Sequence, residues 1–294
     1  MKIFVLIPAY QAAATISRAL ASVQAQTHRD WELIVVEDGS HDGTEALVRA
    51  LAQAESRPVR YENSGRNQGV AAARNRLLAL AAGAVAFLDA DDWWSPDHLA
   101  NAANHLGAGA DLVATGVETF DLAGYRPTGI VRPPASLVTR PVATLFEKSV
   151  IVTSSSVLLS AGLIARTGEF DPAFSVGEDR DYWLRAAVAG ARFALAPALT
   201  CHYAKHAGST MSRTQLVAAE NVRFYEKYYG LAAIPAARRR ELLAHSLVNE
   251  GRLLRAAHPR ASVRQLWRAW RLAPFNLFIA AQLAFSGGRV AFGS

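Results

Sequence analysis

Three carboxylates crowd into four residues where an apolar run stops. In the stretch AVAFLDADDWW, Asp89, Asp91 and Asp92 follow directly on residues 84–88. Anions side by side repel one another, so the cluster calls for a positive partner. One aspartate alone would cap a helix or make an Asx turn. Three at the end of a buried strand fit a hard divalent cation better, because Mg²⁺ and Mn²⁺ take few protein carboxylates and fill their shell with water and phosphate oxygens. A second acidic group, GEDRDYWLR at 177–185, opens a helical pattern, where the macrodipole favours anions. EDGSHDGT at 37–44 is a third polar cluster, whose Asp38-Gly39-Ser40 would make a tight turn in any protein.

The elements that must position these groups follow from periodicity. Residues 3–7, 32–36, 59–61 and 84–88 are short apolar runs bounded by turn formers, the pattern of buried strands. Between them, Ile16, Leu20 and Val23 recur at helical spacing, and 44–54 and 70–83 continue the alternation. Ser95-Pro96-Asp97 predicts a helix start, with Ser as N-cap and Pro at the first helical position. Residues 111–117, 149–159 and 191–195 read as further strands, and the chain is helical from 213 onward. Alternating strands and helices predict an α/β fold, a mostly parallel doubly wound sheet with helices on both faces. Ligands of such sheets bind outside the carboxyl ends of the strands. PAYQ after the first strand, EDGSHDGT after the second and DADD after the fourth all fall there.

Composition sets the outer bounds. The chain has 294 residues, 51% of them hydrophobic, and one cysteine, Cys201. No intrachain disulfide can form, which fits a reducing, cytoplasmic setting. The opening MKIFVLIPAYQ meets Pro8 and polar residues too soon for a signal segment. The net charge of +6 is unevenly placed: residues 213–294 hold 13 Lys/Arg against 4 Asp/Glu, and residues 1–212 hold 18 against 21.

IPAY, VVEDGSHDGT, NQGVAAARN, FLDADDWWSPD and GEDRDYWLR, in this order and spacing over about residues 3–212, resemble the GT-A fold glycosyltransferases of family 2. No one of these motifs is specific; the ordered set is. The resemblance implies an inverting enzyme that uses a nucleotide-diphosphate sugar, most simply a UDP-sugar, with Mn²⁺ or Mg²⁺ as cofactor. It implies that Asp89 faces the ribose with Ala90 also in the nucleotide-sugar site, and that Asp91 ligates the metal. Pro8, Ala9 and Tyr10 would flank base and ribose, and Asp38 would accept from the base. Asn67, Gly69 and Arg74 would line the diphosphate. Asp179 would be the general base, with Glu178 orienting it or the acceptor, and Asp181 would be exposed or paired with Arg185. His206, Ser209 and Ser212 match a segment placed near metal and diphosphate. There the family commonly carries Arg near Ala204, whereas this chain offers Lys205. Trp93, Trp94 and Trp183 adjoin the two acidic clusters and are acceptor-side candidates, although some of these rings must belong to the core.

The resemblance divides the chain into a catalytic domain, 1–212, and a helical extension, 213–294, which it does not cover. The catalytic domain would have a nucleotide-sugar half over about 1–107 and an acceptor half over 108–212. The acceptor would be a saccharide or a lipid-linked one of the envelope or exopolysaccharide type. In the extension, Arg264, Arg268 and Arg271 interleave with Trp267 and Trp270, and the 12-residue apolar stretch PFNLFIAAQLAF follows. It is shorter than the roughly 20 residues a bilayer span needs. A basic amphipathic helix beside an apolar one suits peripheral contact at the inner face of the cell membrane; packing on the catalytic domain or on a second copy would use the same residues. Two rival readings are a nucleotidyltransferase of similar α/β plan and a basic scaffold that binds nucleic acid or membrane. The scaffold leaves both carboxylate clusters unexplained, and no nucleic acid is expected as a partner.

Overall fold

β1 (Ile3–Ala9) and β2 (Trp31–Glu37) are buried along their whole length, as their unbroken apolar runs require. The structure is a computed structural model that describes residues 1–123, 125–206 and 213–292, with 287–292 as backbone only. Ser209 and Ser212 therefore lie outside the described residues. α1 (Ile16–Gln24) connects β1 to β2 and buries Ile16, Ala19, Leu20 and Val23 at helical spacing. α2 (Thr44–Ala54), β3 (Val59–Asn63), α3 (Val70–Leu80) and β4 (Ala84–Phe87) continue the alternation. β1 pairs in parallel with β2 and β4, and β2 with β3. All four strands therefore point their carboxyl ends at one edge, where the polar clusters gather.

The second half mixes directions. It comprises β5 (Trp93–Trp94), α4 (His98–Gly107), β6 (Leu112–Asp121), β7 (Arg126–Val131), α5 (Ser136–Thr139) and α6 (Pro141–Glu147). β8 (Val157–Leu159), α7 (Ala161–Thr167), α8 (Glu178–Val188) and β9 (Phe193–Lys205) complete it. The sheet order is β3-β2-β1-β4-β8-β6-β9-β5, with β7 paired to β6. β8 runs antiparallel to both β4 and β6, and β9 runs parallel to β6.

Three local expectations are corrected here. The helix after Ser95-Pro96 starts at His98, with Asp97 rather than Ser95 at the cap position and no side-chain cap bond. Ser95 is held otherwise: its N–H donates to Thr200 O at 2.9 Å and its hydroxyl lies 2.9 Å from His202 Nε2. The run 149–159 is a strand only at its end, because Ser154–Ser156 form a 3₁₀ turn capped by Thr153. The strand expected at 191–195 extends to Lys205, so His202 lies within the sheet and His206 just beyond it.

The chain divides into two compact units, Met1–Ala207 and Gly208–Ser294. The second holds α9 (Thr214–Lys227), α10 (Ala236–Leu254), α11 (Pro259–Leu272) and α12 (Leu277–Phe292). α10 and α11 cross tightly at Gly251, where a Cβ would stand 2.9 Å from Leu266 Cγ. Ser262 Oγ donates to Gly251 O at 2.6 Å in the same crossing. Among the described residues, no helix is long and apolar enough to cross a membrane.

Candidate active site

The aspartates after β4 have three different surroundings. Asp92 is fully buried and accepts from Thr153 Oγ1 at 2.9 Å and from the Ala204 N–H at 3.0 Å. Burial first, then the charges of Asp91 and Asp89, push its carboxyl well above the usual range. It ties β9 to the end of β4 rather than facing a ligand. Asp89 donates its N–H to Ser155 Oγ at 2.9 Å, and its Oδ2 lies 3.3 Å from Thr153 Oγ1. Asp91 is partly exposed, with Oδ2 2.9 Å from His206 Nε2. Burial and neighbouring Asp89 raise its pKa, and the contact with His206 pulls it back.

Thr153 and Ser155 thus set the aspartates, and sequence reading passed over both. The only signal was TSSS, four hydroxyls interrupting an apolar run. Thr153→Val is expected to strip buried Asp92 of its 2.9 Å hydroxyl donor, costing about 1–3 kcal/mol of stability. Urea unfolding checks this, and Thr153→Ser, which keeps the hydroxyl, should recover most of the loss.

The strand-end cluster is joined to the helix-start cluster by one side chain. Arg74, on the first turns of α3, donates to Asp89 Oδ1 at 2.9 Å through Nη2 and to Glu178 Oε1 through Nη1. It is 4% exposed and bridges the two acidic groups from within. Burial opposes its charge, but Asp89, Glu178 and Asp179 more than offset this and raise its pKa. Next to it, Asn75 exchanges two hydrogen bonds with the backbone of Phe170, at 2.9 and 2.7 Å.

α8 begins after Gly177, with Glu178, Asp179 and Asp181 in its first turn. Burial pushes the Glu178 carboxyl up to about 7, against the pull of Arg74. Asp179 is half-buried, and its Oδ1 accepts from the Arg180 N–H at 2.6 Å. Burial raises its pKa as well, with Arg74 again opposing. Arg180 turns away and donates to Leu145 O and Phe146 O at 3.0 and 2.7 Å, fixing α8 to α6. Asp181 is buried and pairs with Arg185 at 2.9 Å.

On the other side, the loops interlock. The Gln11 N–H donates to Ser40 Oγ at 3.0 Å and the Ala13 N–H to Asp42 Oδ2 at 2.9 Å. Asp38 is buried and accepts from the N–H groups of Gln68 at 2.9 Å and Gly69 at 2.7 Å. Its carboxylate holds the loop before α3 in place. Gly39 sits at φ +75°, and a Cβ there would lie 2.3 Å from the Arg66 carbonyl carbon, so only glycine lets the loops cross. Pro8 and Ala9 are buried in β1, and Ala90 is buried too, whereas Tyr10 and Asn67 are exposed at the rim.

Two of the three tryptophans belong to the core. Trp183 is buried against Phe170 and Tyr182. Trp94 is buried, stacks on His98 at 4.4 Å and donates to Ser155 O at 2.7 Å. Trp93 is half-buried, stacked on His202 at 5.4 Å with the Arg18 guanidinium 4.8 Å from its ring.

Among the described residues, no three His, Cys, Asp or Glu side chains gather into a metal site by themselves. Two donors do converge, Asp91 Oδ2 and His206 Nε2, 2.9 Å apart. Adjacent ligands of an octahedral Mg²⁺ at its usual bond length lie about 2.9 Å apart. One carboxylate and one imidazole would serve a cation that completes its shell on phosphate oxygens and water.

Comparison with known proteins gives a consistent result. The family described as Glycosyl transferase family 2 matches residues 4–154, and Glycosyl transferase family group 2 matches residues 84–287. The chain is 38% identical over 96 residues to UDP-Glc:alpha-D-GlcNAc-diphosphoundecaprenol beta-1,3-glucosyltransferase WfgD of Escherichia coli, covering 32% of this chain and 37% of that protein. It is 31% identical over 216 residues to the succinoglycan biosynthesis protein ExoO of Rhizobium meliloti, covering 69% of this chain and 61% of that one. The chain thus matches from about a third to three-fifths of these relatives' lengths. Among solved structures, S. aureus TarS 1–349 in complex with UDP-GlcNAc shares the fold at TM-score 0.69 and 18% identity, over 97% of this chain and 89% of that one. The mannosyltransferase PcManGT from Pyrobaculum calidifontis, in complex with GDP-Man and Mn²⁺, does so at TM-score 0.61 and 23% identity, over 99% and 81%.

Proposed function

The chain belongs to glycosyl transferase family 2, and from that premise we propose that it moves a sugar, with inversion, from a nucleotide-diphosphate sugar to an envelope or exopolysaccharide acceptor. The observation that carries the reading is the Arg74 bridge. It brings a strand-end carboxylate group and a helix-start carboxylate group, far apart in sequence, to one place at the carboxyl edge of the sheet. Residues 1–107 hold the donor and 108–212 face the acceptor. UDP-sugars are the first donors to try, given the UDP-GlcNAc complex of TarS and the UDP-Glc in the name of WfgD. The diphosphoundecaprenol in that same name motivates a lipid-linked acceptor, met at the inner face of the cell membrane.

In the mechanism, Asp179 takes the proton of the acceptor hydroxyl as its oxygen attacks the anomeric carbon. The new oxygen–carbon bond forms on the face opposite the bond to the diphosphate, which breaks, and the nucleoside diphosphate departs with the electron pair. Glu178, with its raised pKa and its bond to Arg74, orients the base. Asp89 and Asp91 carry the donor side, and Asp91 with His206 would hold Mn²⁺ or Mg²⁺. When bound, that cation stabilises the charge that develops on the leaving diphosphate.

A screen of nucleotide sugars for Mn²⁺-stimulated hydrolysis, followed by transfer to saccharide acceptors, tests the class, the donor and the metal together. Asp91→Asn is expected to lower turnover at least about 10²-fold, the scale of losing a Lewis acid. Because Asp91 is partly exposed, the melting temperature should barely change. Full wild-type activity in chelator rejects the metal role.

A further inference from the structure

α11 leaves two large rings on its outer side. Its buried face is Ser262, Gln265, Leu266 and Ala269. Its two tryptophans lie outside, Trp267 48% and Trp270 36% exposed. Trp267 shares its stripe with Arg260, Arg264 and Arg271, at four-, three- and four-residue intervals, and the Arg271 guanidinium lies 5.0 Å from its ring. The turn into α12 then presents Phe275 at 95% and Leu277 at 85% exposure, beside Phe278 at 54%. Large apolar side chains this exposed, and contiguous along the chain, mark an interaction surface. A cavity of about 370 Å³ opens beside the same turn, lined by Leu242, Val248, Ala273, Phe278 and Ile279 together with Glu241, His245 and Asn276.

We infer that the exposed side of α11 and the turn 273–278 form a membrane-docking surface for an anionic bilayer. Phe275, Leu277 and Phe278 enter the acyl boundary, and Trp267 and Trp270 sit at headgroup level. Charge selects lipid over a second copy of the chain: the exposed side of α11 carries Arg260, Arg264 and Arg271, and no acid lies on that helix or on the turn after it. A like patch would repel this one, whereas phosphate headgroups complement it. Exposed indole rings, arginines and phenylalanines on one stretch are the side-chain types found at a bilayer interface. Only the purpose of docking, to reach a lipid-linked acceptor, rests on the proposed function.

The test is co-sedimentation of the full chain with vesicles of equal parts phosphatidylcholine and phosphatidylglycerol, and with vesicles of phosphatidylcholine alone, without donor or acceptor. Binding to the anionic vesicles only, or far more tightly, is expected. The double variant Phe275→Ser, Leu277→Ser should weaken it at least about tenfold, the scale of removing two inserted apolar side chains. Arg260→Gln and Arg264→Gln should each weaken it about fivefold, with reduced salt dependence. Both pairs are surface positions, so a normal melting temperature in each variant confirms that folding is not the cause. No binding to anionic vesicles at low salt, or undiminished binding by the Phe275/Leu277 variant, overturns the inference. So does concentration-dependent self-association that the variant abolishes while vesicles bind nothing, since the patch is then a contact between copies. Sugar transfer is measured separately, so either reading can fail alone.

Discussion

Asp179→Asn is expected to lower sugar transfer by roughly 10²- to 10⁴-fold, the range for removing a general base. Binding of the nucleoside diphosphate should change less than about twofold, because the base acts on the acceptor and not on the donor. Calorimetry reports the binding and a product assay the rate. A half-buried carboxylate that keeps its Arg180 amide contact is well placed for this chemistry. Its pKa is raised by burial, and only its ionised form can take a proton. The wild-type rate should therefore fall as pH drops through that raised value. The variant should lose this acid limb along with the rate. Normal transfer by the variant moves the base to Glu178.

Arg74→Met is expected to have the second large effect, on stability as well as activity. The substitution leaves Glu178 buried without its cation and Asp89 without its strongest partner. Losing one member of a buried ion pair costs about 3–5 kcal/mol. The pH dependence has a definite sign. Arg74 holds the Glu178 pKa down to about 7, so without it the value climbs further above that of the unfolded chain. A carboxyl raised on folding contributes stability that is fully present below its unfolded pKa and lost as pH rises through its folded one. The variant should therefore come closest to wild type in acid and fall behind toward neutral and alkaline pH. Urea unfolding of both proteins across that range measures it, and a deficit that shrinks with rising pH would contradict the bridge.

The first half of the fold was legible because its strands are fully buried. Residues 3–7, 32–36 and 84–88 could only be interior, and the polar clusters marked their carboxyl ends. β5 and the extension of β9 were not legible. Trp93 and Trp94 form too short a run to carry a period, and CHYAK is polar because its residues serve Trp93, Ser95 and Asp92. At the site, residue type pointed to the acidic clusters at 89–92 and 177–185 and the resemblance added His206; the structure joins the two clusters through Arg74 and sets His206 2.9 Å from Asp91. Burial was not readable from type. Arg74 looks like any helical surface arginine until α8 is packed against it. Trp183 and Trp94 look like sugar platforms until Phe170 and His98 cover them. Asp38 looks like a free acceptor until the loop before α3 folds over Gly39.

That last crossing limits how such a site could be re-engineered. The loops after β1 and β2 share the Gln11–Ser40 and Ala13–Asp42 bonds, and the loop before α3 hangs on Asp38. Each loop contributes only one end of these bonds. A chimera that imports one loop from a relative with another donor preference brings unmatched ends to the rim, where Gly39 leaves no room to adjust against Arg66. The three loops form a single unit of exchange, and a graft should transplant them as a set.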